Sequence, residues 1–183
     1  MLRIRTTILA LTVAFLIATS SAVLAGGSKK GNDIQSGTAR EIRKELVTLP
    51  YYGVFDNLAF KLEGDTVILY GQVVRPTTRK DAEKRIAKIE GVERVINNIE
   101  VLPLSRFDDS IRLRTYRAVF GAGSLYRYGQ GVNPSIHIIV KNGHVSLEGI
   151  VATEGDKNLA GISARGVPGS FSVTNNLKVE RRS

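Results

Sequence analysis

The residues of this chain best suited to chemistry are cations and tyrosines. Arg112, Arg114 and Arg117 recur along Ile111-Arg112-Leu113-Arg114-Thr115-Tyr116-Arg117-Ala118-Val119-Phe120, and Tyr126-Arg127-Tyr128 follows shortly after. A guanidinium offers paired N–H donors that fit two phosphate oxygens, and a tyrosine joins an apolar ring to a polar tip, which suits a headgroup layer. Arg112, Arg114, Tyr116, Arg117, Tyr126, Arg127 and Tyr128 are therefore the candidate contacts to an anionic phospholipid surface. The competing reading is an ordinary amphipathic helix, with Leu113, Tyr116 and Phe120 in a core and the arginines in water.

Other polar residues form no reaction centre. His137 lies between Ile136 and Ile138 in a strand and His144 follows a hairpin glycine, so neither belongs to a nucleophile or metal motif. Asp108-Asp109 suits the amino end of a helix, where acids cap free N–H groups or meet the dipole, whereas calcium demands more oxygen ligands. In Gly121-Ala-Gly123-Ser-Leu-Tyr126 a tyrosine replaces the third glycine of a phosphate-cradling loop. The chain has no cysteine, which removes disulfides and thiolate chemistry. No catalytic residue, cofactor or metal is expected.

The charge balance narrows the partner. Lys and Arg number 26 against 17 acids, a net +9. Arg3, Arg5, the apolar run Ile8 to Ala18 and Val23-Leu24-Ala25 have the form of a secretory signal cleaved after Ala25. A membrane anchor competes, but the run is shorter than the roughly 20 residues that span a bilayer. Loss of two arginines leaves 24 − 17 = +7 for an exported, periplasmic chain. Outside the cytoplasm such a protein meets anionic phospholipid, acidic glycans or acidic proteins, and no nucleic acid partner is expected. The same charge also serves solubility.

These side chains must be positioned by a duplicated unit. Val67-Ile-Leu69-Tyr-Gly71 recurs as Val145-Ser-Leu147-Glu-Gly149. Gly91 aligns with Gly169, and Val95-Ile-Asn97-Asn-Ile99-Glu-Val101 aligns with Val173-Thr-Asn175-Asn-Leu177-Lys-Val179, all at a spacing of 78. Ala39, Ile42, Leu46 and Leu49 predict a helix stopped by Pro50. Alternating apolar runs around Glu63-Gly-Asp65 and Asn142-Gly143 predict hairpins, with Gly71 and Gly149 ending a strand at a bulge or beneath a helix. Pro76 opens a second helix, with Thr78 and Asp81 as a capping pair, and Gly91 closes it before a last strand. Each unit reads helix, strand, strand, helix, strand, with the third strand parallel to the second.

The expected class is α+β: two tandem αββαβ repeats, each a small three-stranded mixed sheet covered by two helices. The boundaries are a signal over 1–25, a flexible leader over 26–33, a first domain over 34–103 and a second over 104–183. The linker at Pro103 to Arg106 is short enough to imply close docking. In the second copy Leu159 and Ile162 replace the charged Asp81 and Lys84, which predicts an inter-repeat or partner surface. The long Gly121 to Gly131 loop is a binding loop or a spacer that wraps the neighbouring repeat.

With its Val-x-Leu-x-Gly strand ends and Val-x-Asn-x-Ile/Leu-x-Val closing strands, the duplicated unit resembles the BON domain, from about Ile34 to Glu180. That resemblance implies a non-enzymatic envelope domain that associates with phospholipid surfaces and supports envelope integrity or stress tolerance. The alternative is a protein-interaction adaptor or scaffold in an envelope complex, docking by a strand edge or an apolar helix.

Overall fold

The structure is a computed structural model that describes residues 27–180 apart from 132; the signal peptide expected over 1–25 lies outside them. Helix α1 (Gly27–Val47) leads into β1 (Asn57–Glu63), β2 (Thr66–Val73), α2 (Pro76–Ile86) and β3 (Arg94–Val101). The second unit follows as α3 (Arg106–Phe120), a 3-10 turn (Gly123–Gly129), β4 (Ile136–Lys141), β5 (His144–Val151), α4 (Glu154–Arg165), β6 (Ser172–Asn175) and β7 (Lys178–Val179). Backbone helix reaches back to Gly27, into the stretch expected as a leader. That stretch contains no proline, and each glycine weakens a helix by only about 1 kcal/mol.

Strand pairing follows the alternation in the sequence. β1 pairs antiparallel with β2, from Asn57 opposite Gln72 to Glu63 opposite Thr66. β3 runs parallel to β2, with Val67 opposite Val95 and Leu69 opposite Asn97. The second unit repeats this arrangement, with Val145 opposite Val173. Its closing strand is interrupted at Asn176-Leu177, so this sheet has four strands where three were expected. Asn142 (φ 52°) and Gly143 (φ 79°) are both left-handed, as a tight two-residue hairpin turn requires.

Each unit encloses its own core. Ile42 and Leu46 of α1 meet Val67, Leu69 and Val73 of β2 and Ala82 and Ile86 of α2. In the second unit Ile111 and Val119 of α3 meet Ile136, Ile138 and Val140 of β4, Leu147 of β5, and Ala160 and Ala164 of α4. Gly71 (φ 115°) and Gly149 (φ 117°) do not end their strands; β2 and β5 continue two residues past them. A Cβ on Gly71 would stand 2.0 Å from the Asn57 carbonyl oxygen, and one on Gly149 would stand 2.0 Å from that of Ser135. The close neighbour is the adjacent strand, not a helix, and both contacts preserve the spacing of 78.

Capping also departs from expectation. Arg75 occupies the cap position of α2 without a side-chain bond, and the Thr78 hydroxyl is buried with no partner. The capping pair belongs instead to the equivalent positions of the second unit. Thr153 Oγ accepts from the Asp156 N–H at 3.0 Å and donates to its carboxylate at 2.7 Å.

The units join along β4, the edge strand of the second sheet. The Val54 carbonyl accepts from the Ile138 N–H at 2.7 Å, and Gly53 accepts from His137 Nδ1 at 3.3 Å. Tyr52 stacks obliquely on His137, and the Phe55 ring meets Tyr116 edge-on. A lone edge strand exposes unpaired N–H groups, and the loop after α1 covers part of this one. This loop of the first unit crosses to the second, and Lys141 at the end of β4 adds an ion pair to Glu100 of β3. Of the two roles expected for the Gly121 to Gly131 loop, binding or wrapping the other repeat, wrapping is not what its Gly123–Gly129 turn does: the turn packs on the amino end of α4 in its own unit.

Candidate lipid-facing surface

Helix α3 turns a partly polar stripe inward. Asp108, Ile111, Arg112, Thr115 and Val119 are buried. Asp108 is fully enclosed and accepts from the N–H groups of Asn142 (2.9 Å) and Gly143 (2.8 Å), so it caps the β4–β5 hairpin rather than its own helix. The helix cap is Ser105, whose hydroxyl accepts from the Asp108 N–H. Arg112 is 3% exposed; one Nη donates to the Val140 carbonyl at 2.7 Å and the other pairs with Asp109. Its assignment to a lipid surface is corrected, because the guanidinium is consumed inside the unit.

Tyr128 is withdrawn in the same way. Its hydroxyl accepts from the Ala152 N–H (2.9 Å) and from Arg127 (2.8 Å), and donates to Asp156 (2.9 Å), which uses its full bonding capacity. The Thr153 hydroxyl, then Tyr128 and Arg127, hold the Asp156 carboxyl below the usual range. Arg127 is tied to Asp156 at 2.8 Å while its side chain stays about half exposed. In the first unit the strand-end N–H equivalent to Ala152, that of Val74, is met by Asp56 at 2.7 Å. The two units solve one backbone problem with different side chains.

What remains outside is apolar and basic. Phe107, Leu113 and Tyr116 are 47%, 49% and 37% exposed, which sets aside the competing reading of Leu113 and Tyr116 as core residues. Arg106 and Arg117 are exposed and Arg114 half-buried, and none of the three has a carboxylate partner among the described residues. Tyr116, Arg117 and Tyr126 line one shallow cavity with Phe120 and Gln130, so three of the seven expected contacts come together. Arg114 points toward the other end, near Phe107 and the Gly169 turn.

That other end holds residues the sequence reading missed. Phe171, 71% exposed, lies 6.0 Å from the Phe107 ring and 5.8 Å from His144, and Leu104 is 95% exposed in the preceding linker. A signal existed: at the spacing of 78, Phe171 stands opposite Glu93, so a charged position becomes aromatic.

Leu159 and Ile162, expected at an inter-repeat or partner surface, have different surroundings. Leu159 is half-buried against its own unit's core, beside Gly123, and Ile162 is 61% exposed. The first unit reaches the second through residues 52–56 instead, because the free edge of β4 lies there. Both histidines have structural partners, His137 at the unit joint and His144 against the Ser172 hydroxyl at 2.8 Å. Among the described residues no three His, Asp or Glu side chains gather to hold a metal ion, and no helix is long and apolar enough to cross a membrane.

The family model of the BON domain matches residues 37–103 and 129–181. The interval 104–128, which holds α3 and most of the following turn, falls between the two matches. Among solved structures, the chain is similar to CdsD, a structural protein of the type III secretion system of Chlamydia trachomatis, at 10% identity over 78% of this chain and 94% of that one, with a TM-score of 0.30. It is also similar to the C-terminal domain of CdsD, at 9% identity over 75% and 96%, with a TM-score of 0.25. No curated protein matches.

Proposed function

This chain belongs to the BON domain family, and on that premise we propose that it is an exported, non-enzymatic binding module that lays the outer side of α3 on an anionic phospholipid surface. The observation that supports this is the exposure of Phe107, Leu113 and Tyr116 beside Arg106, Arg114 and Arg117 on one helix. A helix with an apolar, arginine-bearing outer side suits the headgroup boundary, where the rings enter and the guanidinium groups meet phosphate. Cleavage behind Ala25 would deliver the chain to the periplasm, the compartment in which this surface meets lipid.

Co-sedimentation with vesicles tests the reading. Binding should favour vesicles containing phosphatidylglycerol over neutral phosphatidylcholine and weaken with salt, since exposed charges are screened beyond about 10 Å at 0.1 M. Each arginine near such a surface contributes roughly 1 kcal/mol, so Arg114→Ala with Arg117→Ala should lower binding about 30-fold. Equal binding to both vesicle types refutes the proposal. The adaptor reading is favoured by one observation, the 61% exposure of Ile162 on α4. Partner capture lost in Ile162→Ser with vesicle binding intact would favour it.

A further inference from the structure

Each sheet has one side covered by helices and one side free of them, and the free sides border a common crevice of about 740 Å³ between the units. Its walls are repeat-equivalent. Tyr70 and Asn98 are cross-strand partners in the first unit, as are Gln72 and Glu100. At a spacing of 78 these become Glu148 with Asn176, and Ile150 with Lys178, all lining the same crevice. The duplication thus brings the same four fold positions from both halves to one place.

The chemistry of this lining differs from that of the α3 surface. The lining carries two cations, Arg43 and Lys178, and two carboxylates, Glu100 and Glu148, with Lys141 on Glu100 from beside it, so each sign is present and no cluster of cations gathers to hold phosphate. The carboxylates are held in place: Asn176 Nδ2 donates to Glu148 at 2.6 Å, and Lys141 pairs with Glu100 at 2.5 Å. The Tyr70 ring is 43% exposed in the crevice wall, its hydroxyl in a long contact of 3.3 Å to the Phe60 carbonyl. Ile150, 51% exposed, supplies an apolar patch from the other unit.

We infer that this crevice is a binding site for a neutral, hydroxyl-rich oligosaccharide. A sugar ring presents an apolar C–H side that lies flat on an aromatic ring, and a rim of hydroxyls that both donate and accept. Side-chain amides and fixed carboxylates answer those hydroxyls, Gln72 and Asn98 offering both a donor and an acceptor. The volume lies within the roughly 300–1,000 Å³ of small-ligand sites. A phospholipid headgroup would meet two carboxylates here, and a peptide strand would find side chains rather than a free backbone edge.

The inference does not rest on the phospholipid reading, and one experiment separates them. Chitotetraose and maltotetraose are titrated into the ¹⁵N-labelled chain lacking residues 1–25, and amide shifts are followed. Saturable shifts at Tyr70, Gln72, Asn98 and Asn176, with Arg114 and Arg117 unmoved, are expected for at least one sugar. Tyr70→Ala and Asn98→Ala, both on a solvent-facing sheet side, should each weaken binding about tenfold, the loss of one ring or amide contact. No saturable shift with either sugar at millimolar concentration overturns the inference. So does a saturable shift that Tyr70→Ala leaves unchanged while the variant keeps the parent circular dichroism spectrum.

Discussion

Replacement of Arg112 by alanine should destabilise the second unit while leaving lipid binding per folded molecule intact. Three contributions decide the size. The hydrogen bond from the buried guanidinium to the Val140 carbonyl is charge-assisted, and its loss costs about 1.5–3 kcal/mol. Removing two buried methylenes costs about 0.8 kcal/mol each. In the opposite direction, Arg112 Nε is buried without a partner, and deleting it relieves about 1–3 kcal/mol. The ion pair adds little, since Asp109 is 58% exposed and regains water when the partner leaves. The net is a loss of about 2 kcal/mol, or a fall in Tm of about 4–8 °C for a chain of this size. Circular dichroism melts of Arg112→Ala beside the Arg114→Ala, Arg117→Ala variant provide the check, with vesicle binding measured below both transitions. An Arg112→Ala variant that melts like the parent and binds anionic vesicles weakly would refute the reasoning, because it would place that guanidinium at the membrane.

Two further outcomes follow from the unit joint and the strand crossing. Gly149→Ala puts a Cβ 2.0 Å from the Ser135 carbonyl oxygen at a φ of 117°, so a loss of about 4 kcal/mol or more is expected, read as a Tm lowered by on the order of 10 °C; an unchanged Tm would show that the strands can part there without cost. Burial at the joint pushes the His137 imidazole below its ordinary value, partly opposed by its bond to Gly53. The unfolded chain therefore takes up the proton first, and stability present above about pH 6.5 should be lost as pH falls toward the folded value. Urea midpoints from about pH 7.5 to about pH 5.5 should decline more steeply for the parent than for His137→Gln; parallel slopes would remove His137 from the account. Burial also drives the neighbouring Tyr52 hydroxyl up to about 12, so it stays neutral throughout this range.

Much of the fold was legible because it is written in residues with few conformational options. Gly71 and Gly149 recur at one spacing because only glycine fits both the positive φ and the carbonyl 2.0 Å from where a Cβ would be. Asn142-Gly143 marks its turn for the same local reason, and the alternation in β2 and β5 declares their inward sides, whereas β4 is buried on both. The candidate site was legible only in part. The helix over α3 was evident, but Ile111, Leu113, Tyr116, Val119 and Phe120 spread over about 200° of its circumference, too wide a stripe to fix its rotation. The inward stripe proved to include Asp108, Arg112 and Thr115, which hydropathy assigns to water.

Sequence alone determined the duplicated α+β unit, its hairpins, its parallel crossover and its membership in the BON domain family, since each depends on local backbone preference or short-range pattern. Tertiary structure decided which charges are available. Arg112 and Arg114 stand two residues apart, about 200° around a helix. Only the β4–β5 hairpin, whose backbone N–H groups and Val140 carbonyl needed Asp108 and Arg112, drew one of them inward and left the other outside. The joint at residues 52–56 and the crevice beside it likewise arise from contacts far apart in the chain, which no local pattern records.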